Sequence, residues 1–174
     1  MKKQLLIIGI TLVLLAIGLS GCTDTQDDML SGLGYVNEEY GFGLNPPEGW
    51  AVQDLSNDYS VFVYFLGPTE DDFQVNMFIS NSTLDIGETL SGITEEFIET
   101  FSGDPNFTLI LNNERIVNGM NAYEIKYTSN ILKQNMVMVE KNKLILVIIY
   151  SALESTYDNY SSVFEESINS LVVK

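Results

Sequence analysis

The side chains able to do chemistry are few, and their types exclude more than they suggest. The 174-residue chain has no histidine and a single cysteine, Cys22. Without an imidazole there is no Ser-His-Asp or Cys-His triad and no histidine-based zinc site. No glycine-rich phosphate loop of the P-loop or dinucleotide type occurs. Carboxylates remain, and two acids in a cleft can hydrolyse a glycoside. The sequence singles out no such pair. The run Glu70-Asp71-Asp72 offers the hard oxygen ligands that calcium takes, without EF-hand spacing. A solvated turn between strands explains the same run. Calcium is the one cofactor these residues suggest. Trp50, just after Pro46-Pro47-Glu48-Gly49, is either a ligand platform or a core aromatic with a bonded indole N–H. Phe62, Tyr64, Met77 and Phe78 divide between a core face and a surface face. Sequons at Asn81, Asn106 and Asn159 are glycosylation acceptors if the chain is exported by an archaeal or eukaryotic cell.

Cys22 ends a distinctive prologue. Lys2 and Lys3 form a positive start, Leu5 to Leu19 an apolar run of 15 residues, and Leu19-Ser20-Gly21 precede the cysteine. A spanning helix needs about 20 apolar residues, so the run has signal-peptide length. Leu19-Ser20-Gly21-Cys22 resembles a bacterial-type lipobox, which implies that the Cys22 sulfur carries a diacylglycerol and becomes the first mature residue. Two acyl chains are what stable anchoring takes. The alternative is an uncleaved anchor helix with an incidental cysteine. Either reading puts residues 23–174 outside the membrane, on the extracytoplasmic face. No thiol remains there for a disulfide, so packing alone must stabilise the domain.

The chain holds 24 acidic and 8 basic residues. Losing Lys2 and Lys3 leaves 24 acids against 6 bases, a formal charge of −18. Nucleic acid and anionic headgroups repel such a surface. The acids lie in short groups, among them Asp27-Asp28, Glu38-Glu39, Glu95-Glu96 and Glu165-Glu166, as solvated faces do.

The elements that must position these residues follow from periodicity. Residues 23–34 are polar and read as a tether. Tyr40–Leu44 reads as a strand broken by Asn45-Pro46-Pro47-Glu48-Gly49 and resumed at Trp50. A turn is expected at Asn57-Asp58, a strand over Ser60–Leu66, and a loop over Gly67–Asp72. Phe73, Val75, Met77 and Ile79 alternate with polar residues, as in a half-buried strand. Leu90, Ile93, Phe97, Ile98 and Phe101 then recur at helical spacing, with Glu95, Glu96 and Glu99 opposite; Gly103 and Pro105 stop the helix. Strands return at Phe107–Val117, turn at Asn118-Gly119 and continue over Ala122–Ser129, where Tyr123, Ile125 and Tyr127 share a face. After Leu132–Glu140 and a turn at Lys141-Asn142, the unbroken apolar run Leu144–Tyr150 belongs at the centre of a sheet covered on both faces. Ser155 and Asp158 have capping-box spacing. Tyr157, Tyr160, Phe164, Ile168 and Leu171 form a helical stripe to the C-terminus. The fold class is α+β: a mostly antiparallel sheet whose two helices cover part of both faces.

Tyr40-Gly41-Phe42-Gly43-Leu44-Asn45-Pro46-Pro47-Glu48-Gly49-Trp50 resembles the opening of PsbP-like domains, which have the Mog1/PsbP α-β-α sandwich fold. Glu95-Glu96-Phe97-Ile98, the pair from Asn118 to Tyr127 and the closing helix with Phe164, Ile168 and Leu171 agree in order. The resemblance covers about residues 35–174, so the chain divides into a leader (1–21), a lipidated Cys22 with its tether (22–34) and one PsbP-like domain (35–174). Plant and algal members are extrinsic photosystem subunits that help to retain calcium and chloride; others are transport-related factors or envelope lipoproteins. With no histidine here, no histidine-based role transfers, and photosynthesis is not implied.

The resemblance implies a non-catalytic binding or accessory module of an archaeal or bacterial envelope, with an envelope protein or small ligand as partner. A carboxylate-based hydrolase and a purely structural surface lipoprotein are the alternatives. Replacing Cys22→Ser is expected to release or misprocess the protein; unchanged membrane retention and gel mobility would rule out lipidation.

Overall fold

The computed structural model describes residues 29–55, 61–83, 87–142 and 144–174. Cys22, the leader and the Asn57-Asp58 turn lie outside them. In chain order the elements are β1 (Tyr35–Asn37), β2 (Phe42–Leu44), β3 (Ala51–Asp54), β4 (Val61–Glu70), β5 (Phe73–Thr83), α1 (Leu90–Phe101), β6 (Phe107–Val117), β7 (Met120–Ser129), β8 (Leu132–Lys141), β9 (Leu144–Leu153), α2 (Tyr157–Asn169) and β10 (Val172–Val173). Seven strands form one antiparallel sheet in the order β3-β4-β5-β9-β8-β7-β6, and β1, β2 and β10 form a small second sheet.

The apolar run beginning at Leu144 is the middle strand, as its composition demands. Leu146, Ile148, Tyr150 and Ala152 face one core, with Phe42, Phe62, Met77 and the α2 residues Tyr157, Phe164 and Ile168. Ile145, Val147 and Ile149 face the other, with Leu90, Ile93 and Phe97 of α1 and with Ile125, Tyr127 and Met136. The two helices thus cover opposite faces. Burial pushes the Tyr127 phenol up to about 12 and raises that of Tyr150 as well.

Local chemistry sets the turns. Asn118 and Gly119 both have positive φ, 45° and 78°, the type I′ geometry that joins two-residue hairpins. Asp71 and Asp72 do the same at 44° and 66°. Thr89 caps α1 by accepting from the Gly92 N–H at 3.1 Å.

Three expectations are corrected. Residues 67–70 are not a loop: β4 runs on to Glu70 through an irregularity between Leu66 and Thr69. Pro68 supplies no ladder donor, and a bulge tolerates that. The Gln74 amide donates to the Gly67 carbonyl across the bulge. Secondly, α2 starts from Thr156, which makes no side-chain cap bond, so Ser155 and Asp158 form no capping box. Thirdly, α2 ends at Asn169, and Val172–Val173 pair with β2.

Trp50 lies across the bulge. A Cβ on Gly67 would sit 2.7 Å from the indole Cε2, so only glycine lets the ring down onto β4. Gly67→Ala is expected to cost about 1–3 kcal/mol in urea unfolding, with a red-shifted emission from the single tryptophan. In a Trp50→Leu background the same change should cost much less. Equal costs in the two backgrounds would show that the ring is not what selects glycine.

Candidate functional site

Glu70, Asp71 and Asp72 sit at the β4–β5 hairpin. Their side chains do not converge: Glu70 accepts from the Tyr160 hydroxyl, while Asp71 and Asp72 occupy the exposed turn. That bond raises the Tyr160 phenol above its ordinary value. Among the described residues no three acidic side chains gather as a metal would need. Trp50 is half-buried against the α2-side core, its ring 6.5 Å from Tyr150 and 6.3 Å from Tyr160 between centroids. Asn106 and Asn159 are exposed, and Asn81 is half-buried in β5.

A charged cluster joins the α2 face of the sheet to the helix. Arg115, the only arginine, holds Glu165 of α2 through two nitrogens at 3.3 and 2.9 Å. It also meets the buried Glu124 at 3.4 Å. Lys126 and the Asn135 amide complete the cage around Glu124, at 3.0 and 2.8 Å. Burial lowers the arginine pKa, and the two glutamates more than offset this, so the net shift is upward. Sequence reasoning missed this cluster because Arg115 and Glu165 lie 50 residues apart. The signal that could have found it is a lone arginine on a strand in an acidic chain. The charged groups of the cluster are all paired with one another, and the buried Asn135 Oδ1 is left without a hydrogen-bond partner.

A cavity of about 420 Å³ opens where the start of α1 meets β6, β7 and β8, lined among others by Leu90, Glu114, Ile116, Tyr123 and Glu140. Neither Glu114 nor Glu140 has an ion-pair partner among the described residues.

Among the described residues the α1 side of the sheet is only partly covered, and Tyr64, Leu66 and Phe78 there are half-buried. Opposed residues on adjacent strands share a face. One row there runs Gln53, Tyr64, Phe78, Ile149 and Met136. The next runs Ala51, Leu66, Asn76, Ser151 and Gln134. Helix α1 packs over the β6 and β7 end. Neither core cluster includes Tyr64, Leu66 or Phe78. Phe62 and Met77, by contrast, are core on the α2 side. The Tyr64 and Phe78 rings pair at 5.3 Å between centroids. Around them stand amides and hydroxyls, with Gln134 donating to Ser151 Oγ at 2.7 Å. No Asp, Glu, Lys or Arg stands in either row, in a chain with 24 acids.

At the sequence level no family model and no curated protein matches the chain. Solved structures do. The cyanobacterial PsbP (CyanoP) of Synechocystis sp. PCC 6803 is similar at a TM-score of 0.60 and 20% identity, over 80% of this chain and 91% of that one. LpqN of Mycobacterium tuberculosis, described as involved in cell envelope biogenesis, is similar at 0.58 and 11%, over 76% and 83%. A Pseudomonas aeruginosa protein of unknown function is similar at 0.58 and 13%, over 72% and 97%. The chain therefore has the PsbP-like fold, an α+β sandwich around a mostly antiparallel sheet. Among the described residues no helix is long and apolar enough to cross a membrane.

The buried cluster yields a stability prediction. Arg115→Ala takes one of two counter-charges from the buried Glu124, leaving Lys126, and frees Glu165 from the sheet; it is expected to cost about 3 kcal/mol in urea unfolding. Arg115→Ala with Glu124→Leu should recover much of that loss. If the double variant is as unstable as the single, charge pairing is not what the cluster supplies.

Proposed function

We propose that this chain is an extracytoplasmic, lipid-anchored accessory module that recognises an envelope protein or small ligand through the uncovered half of its sheet. The observation that carries the reading is the uncharged, aromatic-centred surface at Tyr64 and Phe78. Interface centres are depleted of charge and enriched in aromatics, and a few such anchors dominate affinity. Gln53, Asn76 and Gln134 supply hydrogen bonds around the anchor, and the acidic remainder of the domain repels nucleic acid. The leader ending at Cys22 supports the location, and an envelope-related structural neighbour is compatible with it.

The carboxylate-hydrolase reading would rest on Glu114 and Glu140 in the cavity at α1. The two readings separate experimentally. A photo-crosslinking residue at Tyr64 should give a discrete product in membranes of the producing cell, and one at the exposed Glu96 of α1 should not. Phe78→Lys should weaken that product about 30-fold, the loss of an anchor worth about 2 kcal/mol, while Glu140→Gln leaves it intact. Equal labelling from both positions, or a product indifferent to Phe78→Lys, would defeat the proposal.

A further inference from the structure

Strand β5 alternates without a break. Val75, Met77 and Ile79 are buried in the α2-side core. The side chains between and beyond them stand on the other face, so Gln74, Asn76, Phe78, Ser80 and Ser82 line the α1 side. These are two amides, an aromatic ring and two hydroxyls, with no charge among them. The pairing sets Tyr64 of β4 beside Phe78, and Gln53 of β3 beside Tyr64. On the other flank Ser151 of β9 lies beside Asn76, and Gln134 of β8 beside Ser151. The Gln134 amide donates to the buried Ser151 Oγ at 2.7 Å, and the Asn76 amide to the Gln74 carbonyl at 2.8 Å, which orients both groups. Much hydrogen-bonding capacity remains. Among the described residues no hydrogen bond uses the side-chain oxygens of Asn76 and Gln134, the Tyr64 hydroxyl or the Gln53 amide.

We propose, resting on the reading of the Tyr64–Phe78 face as the recognition surface, that its ligand is a neutral polysaccharide laid across the strands. The face of an aromatic ring is electron-rich and attracts the C–H groups on the flat side of a pyranose. Amides and hydroxyls both donate and accept, as sugar hydroxyls do. Strands lie about 4.8 Å apart, and the Tyr64 and Phe78 ring centroids are 5.3 Å apart, close to the length of one pyranose unit. Successive sugars therefore meet successive strands. A protein partner fits less well. Strands β4, β5 and β9 are hydrogen-bonded on both sides, so no backbone edge here can take an added peptide strand. Protein interfaces are enriched in arginine and depleted in serine; this strip has Ser80 and Ser82 and no arginine. Charge selects among glycans. With 24 acids against 8 bases, the chain repels an anionic polymer before it reaches the face, and an uncharged one is not repelled. A cationic ligand would find no carboxylate on the strip to pair with.

The test uses the full chain in a detergent without sugar headgroups. It is run through native gels cast with dextran, mannan, galactan or amylose, and with polygalacturonate as the anionic control. At least one neutral polymer should retard the chain, and polygalacturonate should not. Asn76→Asp keeps the side-chain shape, adds a charge and turns a donor into an acceptor. It is expected to weaken the retardation about tenfold, the scale of one hydrogen bond. Phe78→Ala should abolish it with unchanged far-ultraviolet circular dichroism, while Glu96→Gln leaves it intact. Free passage through all four neutral gels overturns the proposal. So does equal retardation by polygalacturonate, or retardation indifferent to both Asn76→Asp and Phe78→Ala. The crosslinked product from Tyr64 separates the ligand class from the surface itself. Its added mass should be removed by periodate oxidation. An added mass that survives periodate and yields foreign peptides on digestion identifies a protein, which overturns the glycan and leaves the surface reading standing. No product from Tyr64 defeats the surface reading and the glycan with it.

Discussion

The structure depends on β9 being dry on both faces. Leu146, Ile148 and Tyr150 fill one side and Ile145, Val147 and Ile149 pack against the other. A strand without a polar face must be covered twice, which forces a three-layer arrangement. No disulfide within the chain staples the layers, since it has a single cysteine. Each helix therefore has to bring its own apolar stripe to the sheet. The stripe of α2 reaches Tyr150 directly: Phe164 stacks on that ring at 5.1 Å, and the Tyr150 hydroxyl donates to the Tyr157 carbonyl at 2.8 Å.

Coverage is unequal among the described residues, and the inequality leaves part of the sheet open on the α1 side. On the α2 side, the small sheet β1-β2-β10 extends the cover across β4 and β5 through Phe42, Leu44 and Val173. On the α1 side one helix of twelve residues serves a seven-stranded sheet, and the β4–β5 region lies beyond it. Charge is arranged around the same asymmetry. Arg115, Lys126, Lys133 and Lys174 each hold a carboxylate. Two of them, Arg115 and Lys133, tie α2 to the sheet. Arg115 and Lys126 meet the buried Glu124, whereas Lys133 and Lys174 meet carboxylates that stand in solvent. The half-sheet around Tyr64 has neither sign.

Legibility in the sequence tracked the range of the interaction. The hairpin at Asn118-Gly119 could be read because two residues determine its backbone. The helix over Leu90–Phe101 could be read because its apolar spacing is internal to it. Gly67-Pro68 misled because the pair is a local turn signal; the Trp50 ring and the Gln74 amide hold it in a strand instead. Val172–Val173 is too short to carry a period, and its strand exists only because β2 is there to pair with.

Composition and local pattern were enough to establish the α+β class, the central strand, the acidic surface and the absence of imidazole and thiol chemistry in the domain. These follow from residue type and short-range spacing, which the chain carries wherever it folds. Tertiary structure decided which alternating residues became core, sending Phe62 and Met77 inward and leaving Tyr64 and Phe78 on the uncovered side. It also decided where the one arginine found its glutamates and which strand was left as the long edge. Those outcomes depend on strand order and on how far a helix reaches across a sheet, and neither is encoded in any short stretch of residues.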